Sequence, residues 1–181
     1  MAQWRNTSLA YGIVARGFHW LMALMIIGML CVGFYMDGLP MSPDKLRFYG
    51  LHKATGVLIL ALVSLRLLWR AANPVPALPS DMPVWQRWGA HLSHYGLYGL
   101  MFAMPLIGWT MSSAAGIPVS VFGWFSLPHL IGPSKELVDL TKALHFYGAL
   151  ALIALISAHA GAALYHHFIR KDTILKRMLP W

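Results

Sequence analysis

Four long apolar runs, 12–36, 50–69, 91–112 and 143–168, constrain this chain more than any other feature. A hydrocarbon core of about 30 Å is crossed by about 20 residues of helix rising about 1.5 Å each. Within lipid every backbone polar group must be satisfied inside the segment, so each run reads as a transmembrane helix. The expected fold is an all-α membrane protein, a four-transmembrane-helix bundle forming one domain over 1–181. Composition agrees: charged residues are 11% of the chain and gather between the runs, while 58% of residues are hydrophobic and mean hydropathy is +0.58.

The connectors are rich in helix breakers: DGLPMSPD, NPVPALPSDMP and the longer GIPVSVFGWFSLPHLIGPSKE. Phe122, Trp124 and Phe125 in the last of these suit a headgroup-level anchor or a docking surface. Lys and Arg set the orientation. With both termini cytoplasmic, that side holds Arg5, Arg16, Arg66, Arg70, Arg87, Arg170, Lys171, Lys176 and Arg177. The other side holds Lys45, Arg47, Lys53, Lys135 and Lys142, largely offset by Asp37, Asp44, Glu136 and Asp139. Topology thus accounts for the net charge of +8, and no basic patch interleaved with aromatics suggests nucleic acid. Cys31 is the only cysteine, which excludes an intramolecular disulfide, an iron–sulfur cluster and a Cys-rich zinc site. The N-terminal residues show no cleavable signal pattern, so the first run is expected to direct insertion.

Nine histidines in so apolar a chain need a reason, because ionisable groups within spans are costly. His145 and His159 are 14 residues apart in the fourth run. That is about 21 Å of rise and close to four whole turns, so both face one way at two depths. His19 lies near the inner end of the first run and His52 near the outer start of the second. By depth, His19 meets His159 and His52 meets His145. Two bis-imidazole pairs would hold two haems b and carry electrons between leaflets; with both axial positions filled, electron transfer suits them better than oxygen binding. A tetrahedral zinc site fits poorly with ligands at two levels, and a proton relay lacks acidic partners within the spans. Gly28, Gly33, Gly56 and Gly148 give room for a flat ring or for close helix packing.

Haem propionates need cations or donors, for which Arg16, Arg66 and Arg70 suit the inner level and Lys53 and Lys142 the outer. His91 and His94 open the third run three residues apart, and His94 is a candidate propionate or quinone contact. His166, two turns beyond His159, is another. His129 reads as a solvated loop residue.

These residues together resemble the bacterial cytochrome b561 family of small di-haem membrane proteins. The likeness runs through FHW around His19, LHKATG around His52, SLRLLWR followed by NPVPALP, HLSHYGLYGLMF, KALHFYGALALIALISAHAGAALYHHF and the tail KDTILKRMLP. The resemblance implies axial ligands at His19, His52, His145 and His159, cytoplasmic termini, a bacterial inner-membrane location and exchange of electrons with the quinone pool. One branch, superoxide oxidase, takes electrons from periplasmic superoxide and reduces ubiquinone, and Lys142 matches a basic residue of that branch. The outer loop looks like a different branch.

The expected function is electron transfer across the membrane between a periplasmic donor, with superoxide as one candidate, and ubiquinone or another quinone. Lys142 and Lys53 would then concentrate an anionic donor at the outer haem. The alternative is a membrane electron-transfer subunit that docks a periplasmic redox partner and catalyses no small-molecule reaction itself. A haem-free transporter or proton-conducting bundle is the third reading.

Overall fold

The computed structural model describes residues 3–179; Met1, Ala2, Pro180 and Trp181, part of the single-domain reading, lie outside them. Four helices dominate: α1 (Ile13–Gly38), α2 (Pro43–Ala71), α3 (Val84–Ala114) and α4 (Lys135–Tyr165). A π-helical turn, His166–Arg170, continues α4. The helices are 26, 29, 31 and 31 residues long, so each exceeds a membrane's hydrocarbon thickness.

Helix ends differ from the ends of the apolar runs for a local reason. Ser42 accepts a hydrogen bond from the Lys45 N–H at 3.2 Å, with Pro43 in the first turn, so α2 starts well before Gly50. Ser134 accepts from the Leu137 N–H at 3.3 Å and starts α4 ahead of residue 143. Apolarity marks the stretch suited to lipid, whereas capping marks where hydrogen bonding begins. α1, α2 and α4 are long and apolar enough to cross a membrane. α3 has the length but carries Gln86, Arg87, His91, His94, Thr110, Ser112 and Ser113, which lower its apolarity. Pro105 lies inside α3 without ending it.

α1 packs on α2, α2 on α3 and α3 on α4. The core is thin: Met22 and Ile26 from α1, Ile59 and Val63 from α2, Met101 from α3 and Leu152 from α4. Outward faces are as apolar as the inside, with Leu24 70% exposed and Leu68 66%. Such a surface fits a lipid environment and not water. α3 and α4 approach closely through glycine: a Cβ at Gly148 would lie 2.5 Å from Met104 Sδ, and one at Gly96 would lie 2.9 Å from Leu155 Cδ1.

The expected long loop after α3 contains a small hairpin, β1 (Val119–Val121) paired antiparallel with β2 (Phe125–Leu127) in the register Val119↔Leu127 and Val121↔Phe125. Phe122 and Gly123 take φ of 53° and 79°, and the Trp124 N–H donates to the Val121 carbonyl at 3.0 Å. This is the positive-φ turn that matches strand twist. Val119 and Val121 are buried and β1 packs on α2, leaving Trp124 85% exposed at the tip. At the opposite end of the bundle both chain ends gather. The Asn6 side chain donates to the Pro74 carbonyl at 3.0 Å, and Arg177 Nη1 donates to the Ala77 carbonyl at 2.6 Å.

Candidate haem and electron-transfer site

Two imidazole pairs lie at two levels of the bundle. Toward the end that carries the termini, His19 of α1 and His159 of α4 have ring centres 6.2 Å apart. Toward the hairpin end, His52 of α2 and His145 of α4 are also 6.2 Å apart. With about 2 Å from metal to nitrogen and about 1.2 Å from nitrogen to ring centre, two imidazoles on opposite sides of one iron have centres about 6.4 Å apart. Both pairs match that spacing. His94 of α3 approaches His159 edge-on with centres 5.2 Å apart, too close for an iron between those two rings.

The surroundings of the hairpin-end pair also suit a flat prosthetic group. Nδ1 of His52 and Nδ1 of His145 are buried without a hydrogen-bond partner in the protein. Glycines stand beside both rings, since a Cβ at Gly33 would be 3.5 Å from His52 Cε1 and one at Gly108 would be 3.4 Å from His145 Cε1. Gly108 was not singled out in the sequence. It lies far from His145 along the chain, and only the packing of α3 on α4 brings them together.

The basic residues are more engaged than their sequence positions suggest. Arg66 Nη2 lies 3.1 Å from His19 Nδ1, and its guanidinium stacks 5.5 Å over the Tyr98 ring. Arg16 Nη1 donates to the Leu179 carbonyl at 2.8 Å, beside a bond of the same length from Trp20 Nε1 to the Met178 carbonyl. Arg70, half-buried one turn after Arg66, makes no side-chain hydrogen bond among the described residues. Lys53 Nζ donates to Ser112 Oγ at 3.3 Å and to the Pro118 carbonyl at 3.4 Å, which ties α2 to α3 and to the strand that follows. Lys142 is exposed, one turn before His145 on α4.

His166 is buried, and its Nδ1 pairs with Asp172 Oδ2 at 2.5 Å. Asp172 is a partner that the sequence reading missed; its signal was that it is the only acid after α4. Partial burial works against ionisation of Asp172, but the Ile174 N–H, His166 and Arg170 outweigh it and hold the carboxyl below its ordinary value. A depressed carboxylate contributes stability above the unfolded-state pKa and loses it as pH falls through the folded one. The segment 171–179 is therefore expected to lose hydrogen-exchange protection, corrected for intrinsic rate, below about pH 3.9. Asp172→Asn should remove that pH dependence; protection unchanged down to pH 2 in the parent would contradict it.

The family model for prokaryotic cytochrome b561 matches residues 10–181. The chain belongs to the prokaryotic cytochrome b561 family. It is 40% identical to cytochrome b561 homolog 2 of Escherichia coli (strain K12) over 176 residues, covering 96% of this chain and 93% of the relative. It is 32% identical to cytochrome b561 homolog 1 of the same organism, covering 90% and 92%. Identity to a probable superoxide oxidase CybB of Yersinia pestis is also 32%, covering 94% and 96%. As a cytochrome b561 family member it is a bacterial membrane electron-transfer protein that binds haem b.

Proposed function

We propose that this cytochrome b561 carries two haems b, one between His52 and His145 and one between His19 and His159, and moves electrons across the bacterial inner membrane. The observation that supports this most is the pair of 6.2 Å imidazole separations at two levels of one bundle, each using α4. In this reading α3 is the fourth span, both termini are cytoplasmic, and the hairpin faces the periplasm. When bound, the haems supply reversible one-electron chemistry. The protein orients the ligands, excludes water with its apolar faces and presents charge at each end. Arg70 and His94 are the residues proposed to meet propionates or quinone at the cytoplasmic end, with Arg16 and His166 as structural supports beside them.

Superoxide is the proposed outer donor, supported by the resemblance to the probable superoxide oxidase and by the exposed ammonium of Lys142 one turn from His145. Each superoxide gives up one electron and leaves as dioxygen; two such electrons and two protons turn a quinone into a quinol. Lys142 acts by attracting the anion, and Lys53 adds charge while clamping the hairpin end. The rate with a superoxide source and a soluble quinone should fall as salt rises. Lys142→Glu should lower it roughly three- to tenfold at low ionic strength. Equal rates for parent and variant at every salt concentration would remove steering from the account.

A second reading, docking of a periplasmic redox protein, is favoured by the exposed aromatic hairpin tip. Replacing Phe122, Trp124 and Phe125 by Ser would then abolish electron delivery from such a partner. It would leave reduction by superoxide intact.

A further inference from the structure

α1 and α4 supply the facing imidazoles of His19 and His159, yet the two helices make no extensive contact with each other among the described residues. α1 packs on α2, and α4 packs on α3. Direct packing of one helix on the other therefore does not set the His19 ring opposite His159. The segment that follows α4 makes the missing link, and it does so entirely through bonds between protein atoms.

It begins with a sharp reversal. The π-helical turn His166–Arg170 ends at Lys171, whose φ of 55° and ψ of 32° are left-handed. The Asp172 N–H donates to the His166 carbonyl at 3.1 Å, while the Asp172 carboxylate pairs with the His166 ring and accepts from the Ile174 N–H at 3.0 Å. The chain then coils back over the end of the bundle, with the Arg177 N–H donating to the Thr173 carbonyl at 3.0 Å. Arg177 Nη1 seats it on the Ala77 carbonyl, between α2 and α3, at 2.6 Å. It finishes on α1, where Trp20 Nε1 donates to the Met178 carbonyl and Arg16 Nη1 to the Leu179 carbonyl, both at 2.8 Å. These two donors stand four residues apart, on one face of the helix. Trp20 directly follows His19, and its ring meets the imidazole edge-on with centres 5.2 Å apart.

We propose that residues 171–179 are a strap that ties α1 to α4 and holds His19 opposite His159, so that the tail assembles this haem site. The His52–His145 site does not depend on it, since it lies at the far end of the bundle on helices that both pack on α3. A ligand pair ordered in advance loses less freedom when its partner binds, which favours retention of the haem. The proposal rests on the ligand assignment above. Trp20 and Arg16 are positioning residues, which grip the strap and act through the His19 ring and its helix.

The test uses the full chain with Trp20→Phe and Arg16→Met together, which removes both donors and keeps an aromatic ring beside His19. Hydrogen exchange should show the segment 171–179 losing protection. Haem transfer from the purified two-haem protein to apomyoglobin is then followed by visible spectra. Two hydrogen bonds, one of them from a charged donor, correspond to roughly a tenfold change in rate. Haem should leave the His19–His159 site that much faster, and its low-spin EPR signal, which reads the mutual orientation of two axial imidazoles, should shift. The His52–His145 haem should keep both its rate and its signal. Trp20→Phe alone should show the same selectivity with a smaller change, and serves if the double variant does not fold. Arg16→Lys, which restores a charged donor, should stay near the parent. Unchanged rates and signals at both haems would overturn the proposal, as would protection of 171–179 that survives both substitutions. Equal acceleration at both haems would also overturn it, because the tail would then staple the whole bundle. If His19→Ala keeps a full haem complement, the ligand assignment itself fails, which is a separate result from any change in release rate.

Discussion

His159→Ala, purified in detergent, is expected to carry one haem b per chain where the parent carries two. The reason is geometric: His159 faces His19 across 6.2 Å, and its removal leaves one axial ligand with an apolar gap opposite. His94 is the neighbouring imidazole, 5.2 Å from His159 on another helix, and the double variant His94→Ala/His159→Ala checks that it does not take over the position facing His19. His19→Ala should behave alike, while His52→Ala and His145→Ala should each lose the other haem and leave the His19–His159 spectrum intact. A pyridine haemochrome assay with oxidised and reduced visible spectra reads this directly. Two haems retained in all four variants would return these histidines to packing roles.

Gly108→Leu should empty the His52–His145 site with every ligand still in place. A Cβ at this position already sits 3.4 Å from His145 Cε1, so the rest of a leucine side chain has to displace the imidazole or push α3 from α4. Overpacking of this kind costs about 1–3 kcal/mol, and the ring is the more mobile element. About half of the total haem should be lost, all of it from the hairpin-end component. Gly108→Ala, which needs the ring to yield only a few tenths of an ångström, should keep most of it. Gly99→Leu, on the same helix with open space around it, is the control and should bind both haems. Equal haem loss in Gly99→Leu and Gly108→Leu would show that helix insertion, not the ring's space, is what suffers.

Much of the architecture was legible because it depends on distances along single helices. The 14-residue spacing of His145 and His159 translates into depth and facing through helical rise and turn alone, whatever surrounds α4. The apolar runs found the helices but not their ends, because Ser42 and Ser134 start hydrogen bonding in polar sequence. The hairpin was missed because its strands are only three residues long and its turn puts Phe122 at positive φ, which no local pattern announces. The contacts of Lys53 were hidden for a related reason: its ammonium binds groups that the fold brings from α3 and the segment after it.

The sequence by itself determined the class of protein, the number of long helices and the spacing of His145 and His159 along one of them, since these follow from hydropathy and helical repeat. Beyond the histidine pairs, only the tertiary structure decided which other residues these histidines meet: Arg66 against His19 across 47 residues, Gly108 against His145, and Asp172 folding back onto His166. The physical reason lies in lipid. In water a helix declares its inner face by being apolar there, but here Leu24 and Leu68 point outward as readily as Met22 and Val63 point inward. With both sides apolar, the rotation of each helix about its axis is set by packing between helices, through contacts such as Met104 on Gly148 and Leu155 on Gly96.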